Sequence, residues 1–326
     1  AKLQDWRLAL KLLRRMESLP KPRRGGGRRG GGGEVARAKL EANVFHYTAA
    51  MAACRAAGQP GAARELFAEL KARGLEANEF TYSTMMSLAK DGAEARKLLE
   101  EMHAAGRPPD VVTYSAAVAA CDRSHQWELA LELLREMEAN GVTPNQYSYA
   151  SAIRAASRGG QWKLGLALLN ELKERTGQSP GVVCYSAAVT ACAEAGRAAE
   201  ALGLLEAMRA EGCRPNEITY NAAITACERG YMADRAVGLL DEMWRRDRVR
   251  PSVVSFNSAI AACARAGKWR RAVGLLRRCS EPPYNLKPDI ITYNSAISAC
   301  ERGIVYEGRE AEEGALSGGG GGGDFS

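Results

Sequence analysis

A short motif recurs along this sequence at nearly constant spacing, and that spacing restricts the fold more than any other feature. The motif is an aromatic residue followed by a small residue, found as Tyr47-Thr48, Tyr82-Ser83, Tyr114-Ser115, Tyr149-Ala150, Tyr185-Ser186, Tyr220-Asn221, Phe256-Asn257 and Tyr293-Asn294. If each aromatic residue takes the fourth place of a repeat, the repeats start at residues 44, 79, 111, 146, 182, 217, 253 and 290, at intervals of 32 to 37 residues. Such a period is typical of helical-repeat solenoids.

Each repeat contains two stretches with the apolar spacing of an amphipathic helix. In the repeat that starts at residue 111, Tyr114, Val118 and Cys121 lie three to four residues apart, as do Leu134 and Met137 further along. A single helix pair cannot bury both apolar stripes, so each repeat needs a neighbour. The sequence therefore predicts an all-α solenoid of helix-turn-helix repeats that forms one extended domain.

The repeat frame also predicts the domain boundaries. We interpret residues 1–16 as the second helix of a truncated repeat, 17–43 as a flexible Gly/Arg-rich insert, 290–305 as a partial eighth repeat and 306–326 as an acidic, Gly-rich, disordered tail. Seven full repeats lie between them, at residues 44–78, 79–110, 111–145, 146–181, 182–216, 217–252 and 253–289. The chain does not begin with Met, so we expect it to be a fragment or a processed form whose targeting peptide is not visible.

Charge and cysteine usage restrict the function only weakly. The net charge of +7 lies mainly in residues 1–43, which hold 12 basic and 4 acidic residues, so a basic total is poor evidence for nucleic-acid binding. No stretch is long and apolar enough to predict a membrane partner.

Six of the nine cysteines occupy the eleventh place of their repeats, on the apolar stripe: Cys54, Cys121, Cys192, Cys227, Cys263 and Cys300. We expect them to be buried thiols in a reducing compartment, with no metal and no cofactor.

The repeats read V-[VFI]-T-Y-[NST]-x-A-[IV]-x-A-C, followed in several cases by W-x-x-A-[LV]-x-L-L and by a close such as G-V-T-P-N. They lack the W-x2-L-G-x2-Y pattern of tetratricopeptide repeats. The sequence strongly resembles the pentatricopeptide repeat family of RNA-binding proteins, in its plain form, over residues 5–16 and 44–300. The resemblance implies a right-handed superhelix with the first helices along an inner groove. It also implies single-stranded RNA as the partner, with one base bound per repeat.

The resemblance assigns three places of each repeat to the RNA. The second place would supply an apolar side chain that stacks on a base, which here gives Phe45, Phe80, Val112, Tyr147, Val183, Ile218, Val254 and Ile291. The fifth and last places would contact the base edge, which gives Thr48 with Asn78, Ser83 with Asp110, Ser115 with Asn145, Ser186 with Asn216, Asn221 with Ser252, Asn257 with Asp289, and Asn294 without a definable partner. The fourth repeat carries Ala150 and Gly181 at these places and should be indifferent to the base.

The chemistry of the base edge turns these pairs into a predicted target. A carboxylate accepts the ring N–H of guanine or uracil, whereas Asn or Ser can donate to the bare ring nitrogen of adenine or cytosine. The family pattern adds that Ser or Thr in the fifth place goes with purines and Asn with pyrimidines. The predicted target is 5′-AGANACU-3′. For any single pair the alternative is a helix-capping or turn residue. For the fourth-place aromatic residues, packing between helices is favoured over base stacking.

Catalysis is not expected, because the three histidines fall at three different places of the repeat and no H-x-E motif with a later C-x-x-C is present. We expect a non-enzymatic, sequence-selective RNA-binding protein that acts in RNA processing, stability or translation, with room for protein partners in RNA processing. The family alone suggests the mitochondrion or chloroplast. Two alternatives stay open, namely a helical-repeat scaffold for protein-protein interaction, and the recognition arm of an RNA-processing enzyme whose catalytic domain is missing.

Overall fold

The computed structural model describes residues 5–18, 42–177 and 179–317, and all regular secondary structure in these ranges is helical. The helices are α1 (Asp5–Ser18), α2 (Val44–Ala56), α3 (Pro60–Ala72), α4 (Glu79–Ser87), α5 (Gly92–Ala104), α6 (Val111–Arg123), α7 (Trp127–Ala139), α8 (Gln146–Arg158), α9 (Trp162–Thr176), α10 (Gly181–Glu194), α11 (Ala198–Ala210), α12 (Glu217–Arg229), α13 (Ala233–Arg245), α14 (Val253–Arg265), α15 (Trp269–Ser280) and α16 (Ile290–Ser317). The predicted all-α repeat fold is confirmed.

The chain divides into two compact units, Ala1–Thr143 with α1 to α7 and Pro144–Ser326 with α8 to α16. Within each unit, an even-numbered helix is the first helix of a repeat, and it packs on the odd-numbered second helix that follows it. It also packs on the first helix of the next repeat, as α2 does on α4 and α10 does on α12. Apolar stripes are therefore covered by neighbouring repeats, as the repeat pattern predicts.

The core contains the residues that the sequence places on the apolar stripes. The fourth-place aromatic side chains are buried at Tyr47, Tyr82, Tyr114, Tyr149, Tyr185, Tyr220 and Phe256. The prediction that they pack between helices is confirmed for these seven. Tyr293 of α16 is 51% exposed, because no later helix of the described residues covers it.

The eleventh-place cysteines are core residues as well. Cys54, Cys121, Cys192, Cys227 and Cys263 are fully buried, and Cys300 is partly buried. Burial raises the pKa of the Cys121 thiol to about 12 and the pKa values of Cys192, Cys227 and Cys263 to about 11. These thiols therefore stay protonated at neutral pH and pack as small apolar groups, as predicted.

One ionic cluster lies inside the second unit, where it joins two consecutive repeats. Arg209 of α11 donates to the Tyr220 hydroxyl at 2.5 Å and lies 3.1 Å from the carboxylates of Glu242 and Asp247. Its side chain is only 7% exposed. Burial opposes the charge, but Tyr220 and Asp247 outweigh that effect and raise the pKa of Arg209. A buried charge is tolerated here because each of its partners is within bonding distance.

The end of the described chain differs from the sequence prediction. The last repeat has no turn after its first helix, and α16 continues without interruption from Ile290 to Ser317. Residues 306–317, for which the sequence predicts a disordered tail, belong to α16. Gly303 stays helical here, and a Cβ at this position would overlap the Trp269 ring. Residues 19–41 of the predicted insert and residues 318–326 of the predicted tail lie outside the described residues.

The second repeat is shorter than the others because its first helix, α4, ends after nine residues. Asp91 then caps α5 by accepting a 2.8 Å hydrogen bond from the Glu94 N–H. The N–H of Gly92 donates to Gln126 Oε1 of the next repeat, also at 2.8 Å. A Cβ at Gly92 would overlap Cys121 Sγ and would lie 2.7 Å from Leu129 Cδ2. The short turn therefore brings the start of α5 against the third repeat, and only glycine fits there.

This close approach predicts the effect of adding one methyl group. We expect Gly92→Ala to lower the free energy of unfolding by about 1–3 kcal/mol, because the buried neighbours cannot move away without strain. Gly61→Ala is the matched control, since Gly61 also lies at the start of a second helix but has nothing within 4 Å of its Cβ position. The control should be neutral or stabilising by up to about 1 kcal/mol. Urea unfolding followed by circular dichroism measures both, and equal stability of the two variants would contradict the packing described here.

Candidate nucleic-acid interface

Apolar side chains that face solvent recur at one place of the repeat in both units. In the first unit they are Phe45, Phe80 and Val112, and in the second unit they are Tyr147, Val183, Ile218, Val254 and Ile291. All eight are exposed, from 36% at Val183 to 77% at Phe80. These eight residues are just over half of the fifteen large apolar side chains that are exposed in the described residues. The predicted second-place residues are thus solvent-facing in both units.

The helical period explains why these second-place side chains stay outside the core. The fourth-place residue two positions later is turned by about 200° around the helix axis, and it points into the core. Ile218 and Tyr220 of α12 illustrate the contrast, since they are 64% and 0% exposed. Each first helix thus carries a core-facing aromatic residue and a solvent-facing apolar residue in its first turn.

The last-place residues cap the first helix of the next repeat. Asn78 Oδ1 accepts hydrogen bonds from the backbone N–H of Thr81 at 2.9 Å and from its hydroxyl at 2.7 Å. The same pair of bonds joins Asp110 to Thr113 in the first unit, and Asn145 to Ser148, Asn216 to Thr219 and Asp289 to Thr292 in the second. These five last-place residues therefore act as helix caps. It uses one oxygen, so the Nδ2 group of Asn78 or Asn216 is not part of the cap.

The fifth-place residues meet the same hydroxyl groups. Thr48 Oγ1 lies 2.9 Å from Thr81 Oγ1, and Ser186 Oγ lies 2.7 Å from Thr219 Oγ1. The fifth and last places of the first and fifth repeats are thus joined through the third-place hydroxyl of the following repeat.

The fifth-place, last-place and following third-place side chains form a polar cluster, and an asparagine in the fifth place takes part in it in two different ways. In the sixth repeat, Ser255 donates to Asn221 Oδ1 at 2.6 Å. In the seventh repeat, Asn257 Nδ2 donates directly to the two carboxylate oxygens of Asp289, at 3.1 and 3.4 Å. Two predicted base-edge residues of one repeat are therefore in direct contact in this case. Asn257 Oδ1 is buried and has no hydrogen-bond partner among the described residues.

The carboxylate of Asp289 is held in its charged form. Hydrogen bonds from the backbone N–H of Thr292 and, to a smaller extent, from its hydroxyl hold the pKa of Asp289 below its usual value, and Asn257 adds to the effect.

Among the remaining predicted residues, Ser83 and Ser252 are partly buried, Ser115 donates to the Val111 carbonyl at 2.6 Å, and Asn294 is exposed on α16. Ser115 and Asn145, predicted as a pair, belong to different units.

The third-place hydroxyl groups were missed by the sequence analysis. They are buried residues, and the sequence shows them as a row of Thr or Ser directly before the fourth-place aromatic residue: Thr81, Thr113, Ser148, Thr219, Ser255 and Thr292. The exceptions are His46 and Cys184. A hydroxyl at a core-facing helix start was the signal that could have revealed them, since a buried polar group requires a partner.

The fourth repeat lacks the whole polar cluster. Ala150 is buried, Gly181 has φ of +79°, and Cys184 takes the third place of the following repeat. The Cys184 thiol donates to the Gln146 carbonyl at 3.1 Å. The Gln146 side chain lies beside Gly181, since a Cβ there would be 2.7 Å from Gln146 Oε1. Gln146 was not predicted as a site residue, yet its amide occupies the space where a last-place side chain would begin.

Within the described residues, this surface does not bring together side chains that could act as catalytic groups. Asn43 N–H donates to His46 Nδ1 at 3.2 Å, His103 Nδ1 lies 3.1 Å from the Leu99 carbonyl, and His125 lies in a turn with φ of +58°. Within the described ranges, no group of three or more His, Cys, Asp or Glu side chains could hold a metal ion. None of the described helices has the length and apolar character of a membrane span.

Models of one protein family match nearly all of the repeat array. The model described as the pentacotripeptide-repeat region of PRORP matches residues 34–180, the PPR repeat family model matches 180–229, the PPR repeat model matches 218–247, and the pentatricopeptide repeat domain model matches 238–302. The matches agree in family and together extend from residue 34 to residue 302.

The individual relatives are matched over very different shares of their own length. The chain is 36% identical to pentatricopeptide repeat-containing protein 10, chloroplastic, of Zea mays over 85 residues, which are 25% of this chain and 11% of the relative. The crystal structure of PPR10 from maize is similar with a TM-score of 0.50 and 23% identity, covering 86% of this chain and 45% of that one. The PPR domain of Arabidopsis thaliana protein-only RNase P 1, solved in complex with tRNA, gives a TM-score of 0.42 and 18% identity, covering 54% and 88%.

The chain therefore spans less than half of the maize structure and a small part of the maize sequence. The structural likeness supports the helical-repeat fold, and the family models support membership. Taken with the eight repeat starts in one frame and the stacked helix pairs, these matches show that the chain belongs to the pentatricopeptide repeat family.

Proposed function

We propose that this protein binds single-stranded RNA selectively, one base per repeat, with 5′-AGANACU-3′ as the target of the seven full repeats. The observation that carries the proposal is the recurrent pairing of an exposed apolar side chain with a polar cluster a few residues away. Ile218 next to the cluster of Ser186, Asn216 and Thr219 is one such pairing. A base offers one apolar face and one polar edge, which are the two features that such a pairing binds.

The polar groups left outside the helix caps have the chemistry that the target requires. The caps at Asn78 and Asn216 use Oδ1, which leaves the Nδ2 donor for the bare ring nitrogen of adenine. The carboxylate of Asp289 stays charged and accepts the ring N–H of uracil. The maize relative PPR10 has been crystallised with an 18-nt psaJ RNA element, which agrees with RNA as the class of ligand. Family membership supports a role in organellar RNA processing, stability or translation.

A second candidate function has one observation in its favour. Residues 34–180 match the repeat region of PRORP, so the chain could serve as the recognition arm of an RNA-processing enzyme. Incubation of bound RNA with Mg²⁺ and analysis on a sequencing gel distinguishes the two candidates. Intact RNA supports a binding protein without nuclease activity, whereas cleavage at a fixed distance from the bound site supports the second candidate.

Base selectivity is tested by a filter-binding titration at physiological salt. An unstructured RNA that contains AGAAACU is compared with the same RNA carrying UCUAUGA. We expect the first RNA to bind at least about tenfold more tightly, because six polar clusters would each favour one base. Equal and strongly salt-sensitive binding would defeat the base assignment. Absence of binding by the folded protein would favour the protein scaffold.

The last place of a repeat is the sharpest single test of the assignment. Asn216→Asp should change the preference at the fifth nucleotide from adenine to guanine, because a carboxylate accepts where the amide donates. Stability should be unchanged, since Asp110 and Asp289 cap their helices as Asn216 does. Competition binding with RNAs that differ only at this nucleotide measures the effect. An unchanged preference, with the variant folded, contradicts the assigned role of Asn216.

The second-place row is tested with two tyrosines of nearly equal exposure. Tyr147 belongs to the row and is 66% exposed, whereas Tyr231 lies in the turn between α12 and α13 and is 67% exposed. Tyr147→Ala should weaken RNA binding by roughly tenfold, from a stacking contribution of ~1–3 kcal/mol, whatever base stands at that position. Tyr231→Ala should bind RNA like the unmodified protein. Equal losses in both variants would show that the row has no special part in binding.

A further inference from the structure

We propose that the third-place hydroxyl of each repeat is a positioning residue for the base-edge side chains of the repeat before it. The inference rests on the proposed function and names residues outside the second, fifth and last places. The hydroxyl would hold the last-place Oδ1 toward the helix start, so that the remaining polar atom faces the nucleotide. Base selectivity would then depend on three residues of each cluster, one of which belongs to the next repeat.

The geometry of the hydroxyl is the same at five capped first helices. The hydroxyl lies 2.6–3.1 Å from the last-place Oδ1 at Thr81, Thr113, Ser148, Thr219 and Thr292. These five side chains are buried to 1% exposure or less. The oxygen of a hydroxyl that is fixed in the core by its neighbours has one position. It therefore restricts the side-chain torsions of the residue that it contacts.

The consequence is greatest for asparagine. The oxygen and nitrogen ends of an amide have nearly the same shape, so hydrogen bonds alone decide which end faces outward. Two donors from Thr219, the backbone N–H and the hydroxyl, contact Asn216 Oδ1 at 2.9 Å. Rotation of the amide by 180° would set Nδ2 against the backbone N–H, which cannot accept, and would require the hydroxyl to change from donor to acceptor. The pair of bonds thus keeps Asn216 as a donor toward the base, which favours adenine over guanine.

The hydroxyl also contacts the fifth place, and its partner there can change its direction. In the sixth repeat, Ser255 Oγ donates to Asn221 Oδ1 at 2.6 Å but lies 3.4 Å from Ser252 Oγ. Here the hydroxyl fixes the amide of the fifth place instead of the last place. The Nδ2 group of Asn221 is then directed away from Ser255. Ser255 thus contacts the fifth-place amide of the repeat before it, whereas Thr219 contacts the last-place amide.

The fourth repeat supplies an independent observation from within the chain. Its fifth place is Ala150 and its last place is Gly181, so no side chain needs to be oriented. The third place of the following repeat is Cys184 rather than Ser or Thr, and its thiol bonds to the Gln146 carbonyl. Among the full repeats with a defined successor, the hydroxyl is missing only where there is nothing for it to position.

The first arm of the test measures RNA selectivity. Thr219→Val removes the hydroxyl and keeps the branched shape, Thr219→Ser keeps the hydroxyl, and Thr225→Val removes a hydroxyl of the same helix whose contact, with Ser258, is 3.4 Å long. Competition binding compares RNAs with adenine or guanine at the fifth nucleotide. Thr219→Val should reduce the preference for adenine by roughly fivefold, and the two other variants should keep it. The preference at the second nucleotide should not change in any variant.

The second arm needs no RNA. The hydroxyl of Thr292 contributes to the lowered pKa of Asp289, so Thr292→Val should raise that pKa toward its usual value, whereas Thr292→Ser should not. An NMR pH titration of the Asp289 carboxyl carbon measures it. A raised pKa with no base preference in the unmodified protein would overturn the proposed function and leave the hydroxyl contact intact. An unchanged pKa, or an unchanged adenine preference in Thr219→Val, would overturn the positioning role.

Discussion

The register of each first helix, which places the second-place side chain in solvent and the fourth-place aromatic side chain in the core, is the constraint on which the other features of this surface depend. A hydrogen bond from the last-place side chain marks the start of most first helices, but α10 keeps the register without it, with Val183 outside and Tyr185 inside. Asn216 accepts from Thr219, which leaves Ile218 outside and Tyr220 inside. A start one residue later would rotate the turn by about 100° and move both side chains away from their present positions. Core packing and the solvent-facing row are therefore fixed together.

Burial inside each unit is uniform, which is why the exposed row stands out. The first helices are short, mostly 13 residues, and they are covered by their own second helix and by adjacent first helices. Small residues at the contact, such as Ala223 and Ala226, let the helices approach closely. With the apolar stripes covered, exposed apolar groups in the first turns are not needed for packing. Packing alone therefore does not account for the recurrence of apolar residues at this place.

The sequence was sufficient for those features that depend on periodicity. The helix pairs, the buried aromatic residues and the buried cysteines all follow from spacing of three to four residues. Spacing did not reveal the role of Thr81 or Thr219, because a polar residue at a helix start has several roles that only contacts distinguish. The length of α16 was missed for a related reason. By analogy with earlier repeats Gly303 would close a first helix, but it lies inside α16, where a Cβ would overlap the Trp269 ring. Gln146 is visible only beside Gly181 in three dimensions.

Capping alone does not explain the polar last-place residues. The second helices α3, α7, α9, α11, α13 and α15 all begin without a side-chain cap hydrogen bond. The first helix α10 also begins without one, since Pro180 stands at its cap position and Gly181 follows. Helices of this chain therefore form where packing supports them, whether or not a cap is present. A cap contributes about 0.5–2 kcal/mol, which favours Asn, Asp or Ser but does not choose among them. The choice of amide, carboxylate or hydroxyl from repeat to repeat is therefore not set by capping.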